Sequence, residues 1–298
     1  MSEKNKQWEG KTGGGQFGQS FLFLLLRRVK VSYVYPLLFF VIPFYLIFGR
    51  KGYKAIFSFF HHNLRLNKFR AFFSTFRNHH IFGEVVLDKF ALLAGNKKQF
   101  KVNVEGIEHF NKLIEGEKGF IIASAHVGNF ELVGHCLRQD KKKINGIIYG
   151  GETKNFQKQR INAFNESNIN LISVSNDMSH LFTIKEVLDK GEVISIPCDR
   201  VLGSNKVYKQ EFLGSQAFFP LGTFKLASQL DVPILAVFIM KERKLRYKGY
   251  TFLLNPLTDE KSSTKKAEYL AEQYVCVLEK IVKKYPSQWF NYYKFWEQ

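Results

Sequence analysis

The chain has 298 residues, of which 45% are hydrophobic and 23% are charged. These proportions exclude a disordered chain and leave room for one large α/β domain or two small ones. The formal charge of +18 predicts a negatively charged partner, which is nucleic acid, an anionic lipid surface or an acidic carrier protein. Cys136, Cys198 and Cys276 form no CxxC pair, so we expect no disulfide framework and three small core residues.

The beginning of the chain is polar and rich in glycine. Residues 1–20 contain the run GKTGGG, but this run lacks the GxxxxGK[ST] spacing of a phosphate-binding loop and follows no strand. We therefore predict a flexible segment over 1–20.

A long apolar stretch follows and predicts a membrane anchor over residues 21–52. The run from Val31 to Gly49 carries no charge, and its length is near the minimum for a spanning helix. Basic residues flank it on both sides, so the positive-inside rule fixes no orientation. The anchor is either one span or a helix pair lying in the interface, and a buried helical hairpin of a soluble domain is the alternative.

The remaining residues, 53–298, are predicted to form one α/β domain. Residues 53–95 repeat apolar side chains at helical spacing, but their histidines keep no spacing with acidic residues or cysteines, so we expect no metal site. Beyond them, short apolar runs alternate with helical stretches such as 178–190 and 219–230. This alternation predicts a central, mostly parallel sheet flanked by helices.

The segment SAHVGNFELVGH, residues 124–135, carries the candidate chemistry. It follows an apolar run, which puts His126 on the loop at the carboxyl end of a strand, where ligands bind in open α/β sheets. With His126 still in the turn, the side chain of Glu131 can reach the imidazole. Glu131 would then fix the imidazole tautomer and leave the other ring nitrogen as a general base.

A second polar pair, Asp199 and Arg200, follows the apolar run ending at Pro197. An arginine at such a strand end could clamp a phosphate or carboxylate through two N–H donors, and a surface ion pair is the alternative. No GxSxG motif supplies a serine nucleophile. The sequence therefore favours direct transfer, in which a substrate hydroxyl attacks a thioester with the help of His126.

The order of these motifs resembles the lysophospholipid acyltransferase superfamily, and most closely the bacterial lipid A late acyltransferases. HVGNFE resembles the first family motif, H-x4-D/E, which implies that His126 is the base and Glu131 its orienting acid. ISIPCDR resembles the block with a functional aspartate, at Asp199, and FFPLGTFKLA the block near the acceptor head group. VPILAVF resembles the closing strand, and PSQWFNYYKFW resembles the Pro-x-Gln-Trp ending of the late acyltransferases.

The resemblance also implies where substrate binds. Many superfamily members carry glutamate at the position of Leu221, and its loss argues for a glycolipid acceptor over a glycerol phosphate. Arg160 is the candidate for an arginine that family members use after the second strand. The substrate-binding candidates are Asp199, Arg200, Phe219, Pro220, Gly222, Thr223, Arg160 and Asn129.

By this resemblance we expect a membrane-associated O-acyltransferase at the cytoplasmic face of a bacterial inner membrane. The donor would be an acyl-acyl carrier protein, or less favourably acyl-CoA, and the acceptor a hydroxyl of a lipid A-like or other glycolipid. We expect an anionic membrane as partner, a monomer, and no metal or cofactor. The alternatives are an acyltransferase acting on an amino-acid-containing lipid and a non-catalytic lipid-binding protein. We expect no nucleic acid partner, because the basic residues are dispersed and no RRM, KH or zinc-finger signature occurs.

Overall fold

The structure is a computed structural model that describes residues 15–137, 141–149, 169–174, 179–201, 206–257 and 259–297. The helices among these residues are α1 (Gly15–Arg28), α2 (Leu38–Phe48), α3 (Arg50–Ser58), α4 (Lys68–Leu93), α5 (Ile107–Glu115), α6 (Val133–Cys136), α7 (Ser179–Asp189), α8 (Gly222–Leu230) and α9 (Ser263–Lys284). The strands are β1 (Lys101–Glu105), β2 (Phe120–Ser124), β3 (Ile144–Tyr149), β4 (Ile169–Val174), β5 (Val193–Pro197), β6 (Val207–Phe212), β7 (Ser215–Pro220), β8 (Ile234–Arg243) and β9 (Arg246–Leu254).

Seven of the strands form one sheet in the order β1-β9-β8-β2-β5-β3-β4. Strands β8, β2, β5, β3 and β4 pair in parallel, β9 is antiparallel to β8, and β1 is parallel to β9. The predicted α/β class with a mostly parallel central sheet is thus confirmed.

Strand β2 illustrates why helices cover both faces of the sheet. All five of its residues are buried, and successive side chains of a strand point to opposite faces. Phe120 and Ile122 belong to one hydrophobic cluster, with residues of α1, α2, α4 and α5. Ile121 and Ala123 belong to the other, with residues of α3, α7, α8 and α9. A continuous apolar run is what a strand buried on both faces requires.

Strands β6 and β7 form a separate antiparallel hairpin that the sequence analysis missed. Phe212 pairs with Ser215, so Leu213 and Gly214 make a two-residue turn with φ of 53° and 77°. Turns with positive φ at both positions match the twist of the flanking strands. The helix predicted over 219–230 therefore begins later, at Gly222, because Phe219 and Pro220 end β7.

The N-terminal segment is partly docked on the domain. Helix α1 begins at Gly15, inside the segment predicted to be flexible. Val31–Phe48 has the length and composition of one candidate membrane span among the described residues, and 28% of it is buried inside the protein. It contains two short 3-10 turns followed by α2, and its inward side packs on α4.

The cysteines follow the prediction only in part. Cys198 is buried, but Cys276 is exposed on α9. The prediction of a core position was wrong for Cys276, because α9 turns Tyr274, Val275 and Leu278 inward and leaves position 276 on its solvent side. The side chain of Cys136 lies outside the described residues.

Candidate active site

The two polar motifs meet because β2 and β5 are neighbours in the sheet. They run parallel, with Ser124 opposite Pro197, so both carboxyl ends lie at one edge. His126 and Asp199 each follow their strand by two residues. The parallel sheet thereby brings together side chains that are far apart in the sequence.

Asp199 holds His126 at two points. The imidazole Nδ1 lies 2.8 Å from Asp199 Oδ1, and the backbone N–H of His126 donates to Oδ2 at 3.0 Å. The side chain of Asp199 is fully buried, whereas 22% of the His126 side chain is exposed. The carboxylate therefore fixes both the ring and the peptide of a histidine that reaches the surface of the site.

Asp199 carries its negative charge at neutral pH. Burial disfavours ionisation, but the charge and hydrogen bonds of His126 together with the charge of Arg200 outweigh it. The pKa of Asp199 consequently lies below its usual value. The adjacent Cys198 is not a nucleophile at neutral pH, because burial raises the pKa of its thiol to about 12.

The segment 286–291, which we call the C-terminal tail, lies against the loop that carries His126. Phe290 N donates to His126 O at 3.0 Å, Gly128 N donates to Gln288 O at 2.9 Å, and Val127 forms an antiparallel bridge with Trp289. The tail thus lies as a short extended segment beside the loop and is joined to the loop by backbone hydrogen bonds.

Gly128 sits in this loop at a position that no other residue fits. Its φ is 55°, and an added Cβ would lie 2.2 Å from Ile239 O of β8. Asn129 N donates to the same carbonyl oxygen at 2.8 Å. We call residues 126–129 the catalytic loop. This loop is therefore held between the tail and β8.

Arg200 contacts the C-terminal tail. Its Nε donates to Asn291 Oδ1 at 3.0 Å, and an Nη donates to Phe290 O at 2.9 Å. The guanidinium also lies 5.5 Å from the centre of the Tyr293 ring. Because a guanidinium has five N–H donors, these contacts leave capacity for an anionic ligand.

The remaining candidates are spread over different environments. Phe219 is fully buried and packs in the core, with its ring 5.5 Å from Phe212. Gly222 is exposed, and Pro220 and Thr223 are half-buried near the same turn. Phe219 therefore supports the hairpin from inside, and its ring does not line an open surface.

Asn129 is 1% exposed and donates from Nδ2 to Tyr247 Oη at 3.4 Å. Its Oδ1 has no hydrogen-bond partner among the described residues. The backbone of Glu131 lies in the turn Phe130–Leu132, but its side chain is outside the described residues, as is the whole of Arg160. Among the described residues, no group of three or more His, Cys, Asp or Glu has the arrangement of a metal site.

Sequence reasoning missed the contact between Asp199 and the imidazole, and it assigned Asp199 to substrate. The pairing depends on β5 lying next to β2, and strand order is not readable from the apolar runs. A polar residue directly after each of two buried strands was the one available signal. A partly exposed imidazole on a buried carboxylate, at the carboxyl edge of a parallel sheet, is suited to an enzyme that works by general base catalysis.

Comparison with known proteins identifies the family. The sequence profile of the bacterial lipid A biosynthesis acyltransferases matches residues 81–298. The chain belongs to this family, and it is an acyltransferase. The crystal structure of the 1-acyl-sn-glycerophosphate (LPA) acyltransferase PlsC from Thermotoga maritima is similar over 91% of this chain and 99% of that one, at 15% identity and a TM-score of 0.41. No curated protein sequence matches this chain.

Proposed function

We propose that the chain is a membrane-associated O-acyltransferase in which His126 acts as the general base. The observation that carries the proposal is the contact between Nδ1 of His126 and the buried, ionised Asp199. With Nδ1 on the carboxylate, proton transfer falls to Nε2.

The reaction needs two proton movements. The acceptor hydroxyl oxygen bonds to the thioester carbonyl carbon while Nε2 takes the hydroxyl proton. The C–S bond then breaks, and the leaving thiolate takes that proton from the imidazolium. The negative charge of Asp199 stabilises the imidazolium between the two steps. In this proposal Asp199 takes the orienting role that the sequence predicted for Glu131, because Asp199 lies on Nδ1 and Nε2 acts as the base.

The charge and the surface of the protein support the proposed partners. The +18 charge suits an acidic acyl carrier protein as donor, with acyl-CoA as the alternative. Four phenylalanine side chains of α2 are exposed: Phe39, Phe40, Phe44 and Phe48. The exposed fraction of the Phe40 side chain is 81%. Exposed basic residues flank them: Arg27, Arg28, Arg50, Lys51 and Lys54. An aromatic surface between cations fits an anionic bilayer, to which each nearby cation adds about 1 kcal/mol.

The acceptor is proposed to be a lipid A-like or other glycolipid at the cytoplasmic face of the inner membrane. Leu221 in place of glutamate supports this choice over a glycerol phosphate. Arg200 and Arg160 are proposed to contact acceptor phosphates, and Pro220, Gly222 and Thr223 to border the acceptor. Asn129 is buried and is proposed to hold the loop rather than to contact the acceptor.

The proposal is tested by His126→Ala with purified protein, an acyl-acyl carrier protein and mixed lipid vesicles. We expect the rate of transfer to fall by about 10²–10⁴, the usual contribution of a general base. His62→Ala is the control, because this histidine is exposed and lies between α3 and α4. Full activity of His126→Ala would remove the mechanism.

Mass spectrometry of membrane lipids from cells with and without the gene identifies the acceptor. A glycolipid that loses one acyl chain in the absence of the gene supports the proposal, and an altered amino-acid-containing lipid supports the alternative acceptor. Lipid binding by the wild-type protein without any turnover would favour the non-catalytic function.

A further inference from the structure

A buried ion pair lies behind the catalytic loop. Asp88 of α4 is fully buried, and the side chain of Lys241 of β8 is 4% exposed. Lys241 Nζ donates to Asp88 Oδ2 at 2.5 Å and lies 3.4 Å from Glu84 Oε2. Removing charges from water is costly, so a buried pair gives little net stability, and its presence points to another role.

One arm of this ion pair reaches the catalytic loop through Tyr247. The Tyr247 hydroxyl donates to Asp88 Oδ2, and Asn129 Nδ2 donates to the same hydroxyl oxygen at 3.4 Å. Asn129 is three residues from His126 and is itself buried. Asp88 is therefore two hydrogen bonds away from the loop.

A second arm runs through Gln288 of the C-terminal tail. Its side-chain amide forms two hydrogen bonds with the backbone of Lys241. Lys241 N donates to Gln288 Oε1 at 2.8 Å, and Gln288 Nε2 donates to Lys241 O at 2.7 Å. The carbonyl oxygen of Gln288 accepts from Gly128 N. The residue that carries the buried cation is thus tied to the tail that holds the loop.

The third arm reaches the N-terminal apolar segment. Tyr35 lies inside Val31–Phe48 and donates from its hydroxyl to Asp88 Oδ1 at 2.5 Å. Lys241 Nζ donates to the same hydroxyl oxygen at 3.1 Å. Tyr35 is 7% exposed, whereas Tyr33 and Leu37 on either side are more than half exposed. Tyr35 therefore adds a polar anchor to the inward side of a segment that otherwise packs through apolar residues such as Val31, Val34 and Leu38.

We propose that Asp88, Lys241 and Gln288 are positioning residues that couple the docking of the Val31–Phe48 segment to the geometry of the catalytic loop. When Tyr35 is seated, the ion pair is fully hydrogen-bonded and both arms hold residues 128 and 129. When the segment lifts off, Asp88 loses a donor in a buried place, and the two arms loosen together. The inference rests on the proposed function in one respect, which is that His126 in this loop is the base.

Tyr35→Phe tests the coupling with the smallest change, because it removes one hydroxyl and keeps the ring. Loss of a hydrogen bond to a charged group corresponds to about a ten-fold change in a local opening equilibrium. We therefore expect hydrogen exchange at the amides of Gly128 and Asn129 to rise about ten-fold. We expect kcat to fall several-fold while KM for the donor stays unchanged, since the loop and not the donor site is loosened.

Tyr269→Phe is the matched control, because it removes a hydroxyl from a partly exposed tyrosine on α9. It should match the wild-type protein in both measurements. Equal exchange at Gly128 and Asn129 in Tyr35→Phe and Tyr269→Phe would overturn the coupling.

Gln288 gives a second, independent variant. Gln288→Met removes both side-chain hydrogen bonds, whereas Gln288→Glu keeps the acceptor for Lys241 N–H. We expect exchange at Gly128 to increase in the order wild type, Gln288→Glu, Gln288→Met, with thermal unfolding followed as the folding control. An effect on unfolding temperature without this order at Gly128 would contradict a positioning role.

The exchange measurement needs no turnover, so the two proposals fail separately. Activity retained in His126→Ala refutes the base and leaves the exchange result to decide the coupling. Unchanged exchange in Tyr35→Phe, with His126 still essential, refutes the coupling alone.

Discussion

The N-terminal segment and the C-terminal tail are both rich in aromatic residues, yet the fold treats them in opposite ways. Phe40 and Phe48 are 81% and 71% exposed, whereas Trp289 and Phe290 are 1% and 6% exposed. The difference lies in what each segment bonds. The tail pairs its peptide groups with the catalytic loop, while α2 satisfies its own backbone and leaves its side chains outside. Aromatic content therefore identifies neither a membrane surface nor a core until the backbone partners are known.

Truncation of a buried aromatic side chain should separate the two regions most strongly. Trp289→Ala removes a side chain packed against Phe59, Phe212 and Phe295. We expect a loss of about 3–5 kcal/mol in the free energy of unfolding, measured by denaturant titration. Phe40→Ala should change it by less than about 0.5 kcal/mol, because that ring is exposed. Equal effects would show that the two regions pack alike.

Glycine substitutions should sharpen the same contrast. Gly128→Ala forces a Cβ onto Ile239 O in a left-handed conformation, which we expect to displace the catalytic loop and lower kcat by about 10² or more. Gly18→Ala in α1 meets nothing within 4 Å and should leave kcat unchanged. Steady-state kinetics at saturating substrate gives both values, and an active Gly128→Ala would mean that the loop tolerates movement.

Vesicle binding should respond to the N-terminal region and not to other exposed rings. Phe40→Ser removes apolar area from the proposed membrane surface, so we expect affinity for anionic vesicles to fall about ten-fold. Phe182→Ser is the control, because Phe182 is 80% exposed on α7. Sedimentation with vesicles measures both, and a similar loss in the two variants would argue against a dedicated surface.

The smallest expected effect concerns the stability in acid of the site beside the C-terminal tail. Because the pKa of Asp199 is lower in the folded protein, its ionisation stabilises the fold above the ordinary carboxyl pKa of about 4. This contribution is lost as the pH falls through the folded-state pKa. The difference in the free energy of unfolding between the wild type and Asp199→Asn should thus shrink as the pH falls into the acid range. Urea titrations between neutral and acidic pH test this, and parallel curves would contradict it.

The sequence predicted much of the fold because β2, β5 and β8 are buried on both faces and read as apolar runs. It also located His126, since a polar residue after such a run lies at the carboxyl edge. The Asp199 contact was not predictable, because β5 is inserted between β2 and β3 in the sheet. The hairpin turn was not predictable, because Leu213 has a positive φ and a bulky residue at such a position gives no turn signal. Asp88 and Lys241 are 153 positions apart, and only packing brings them together.

The contact between the tail and the catalytic loop has an evolutionary consequence. The tail holds the loop through the backbone carbonyl of Gln288 and the backbone N–H of Phe290. Every amino acid provides the carbonyl, and every amino acid except proline provides the N–H. Successive side chains of an extended segment point to opposite sides. One inserted or deleted residue here would therefore move the Trp289 side chain out of the core. Relatives should therefore drift in residue identity along this segment more easily than in its length.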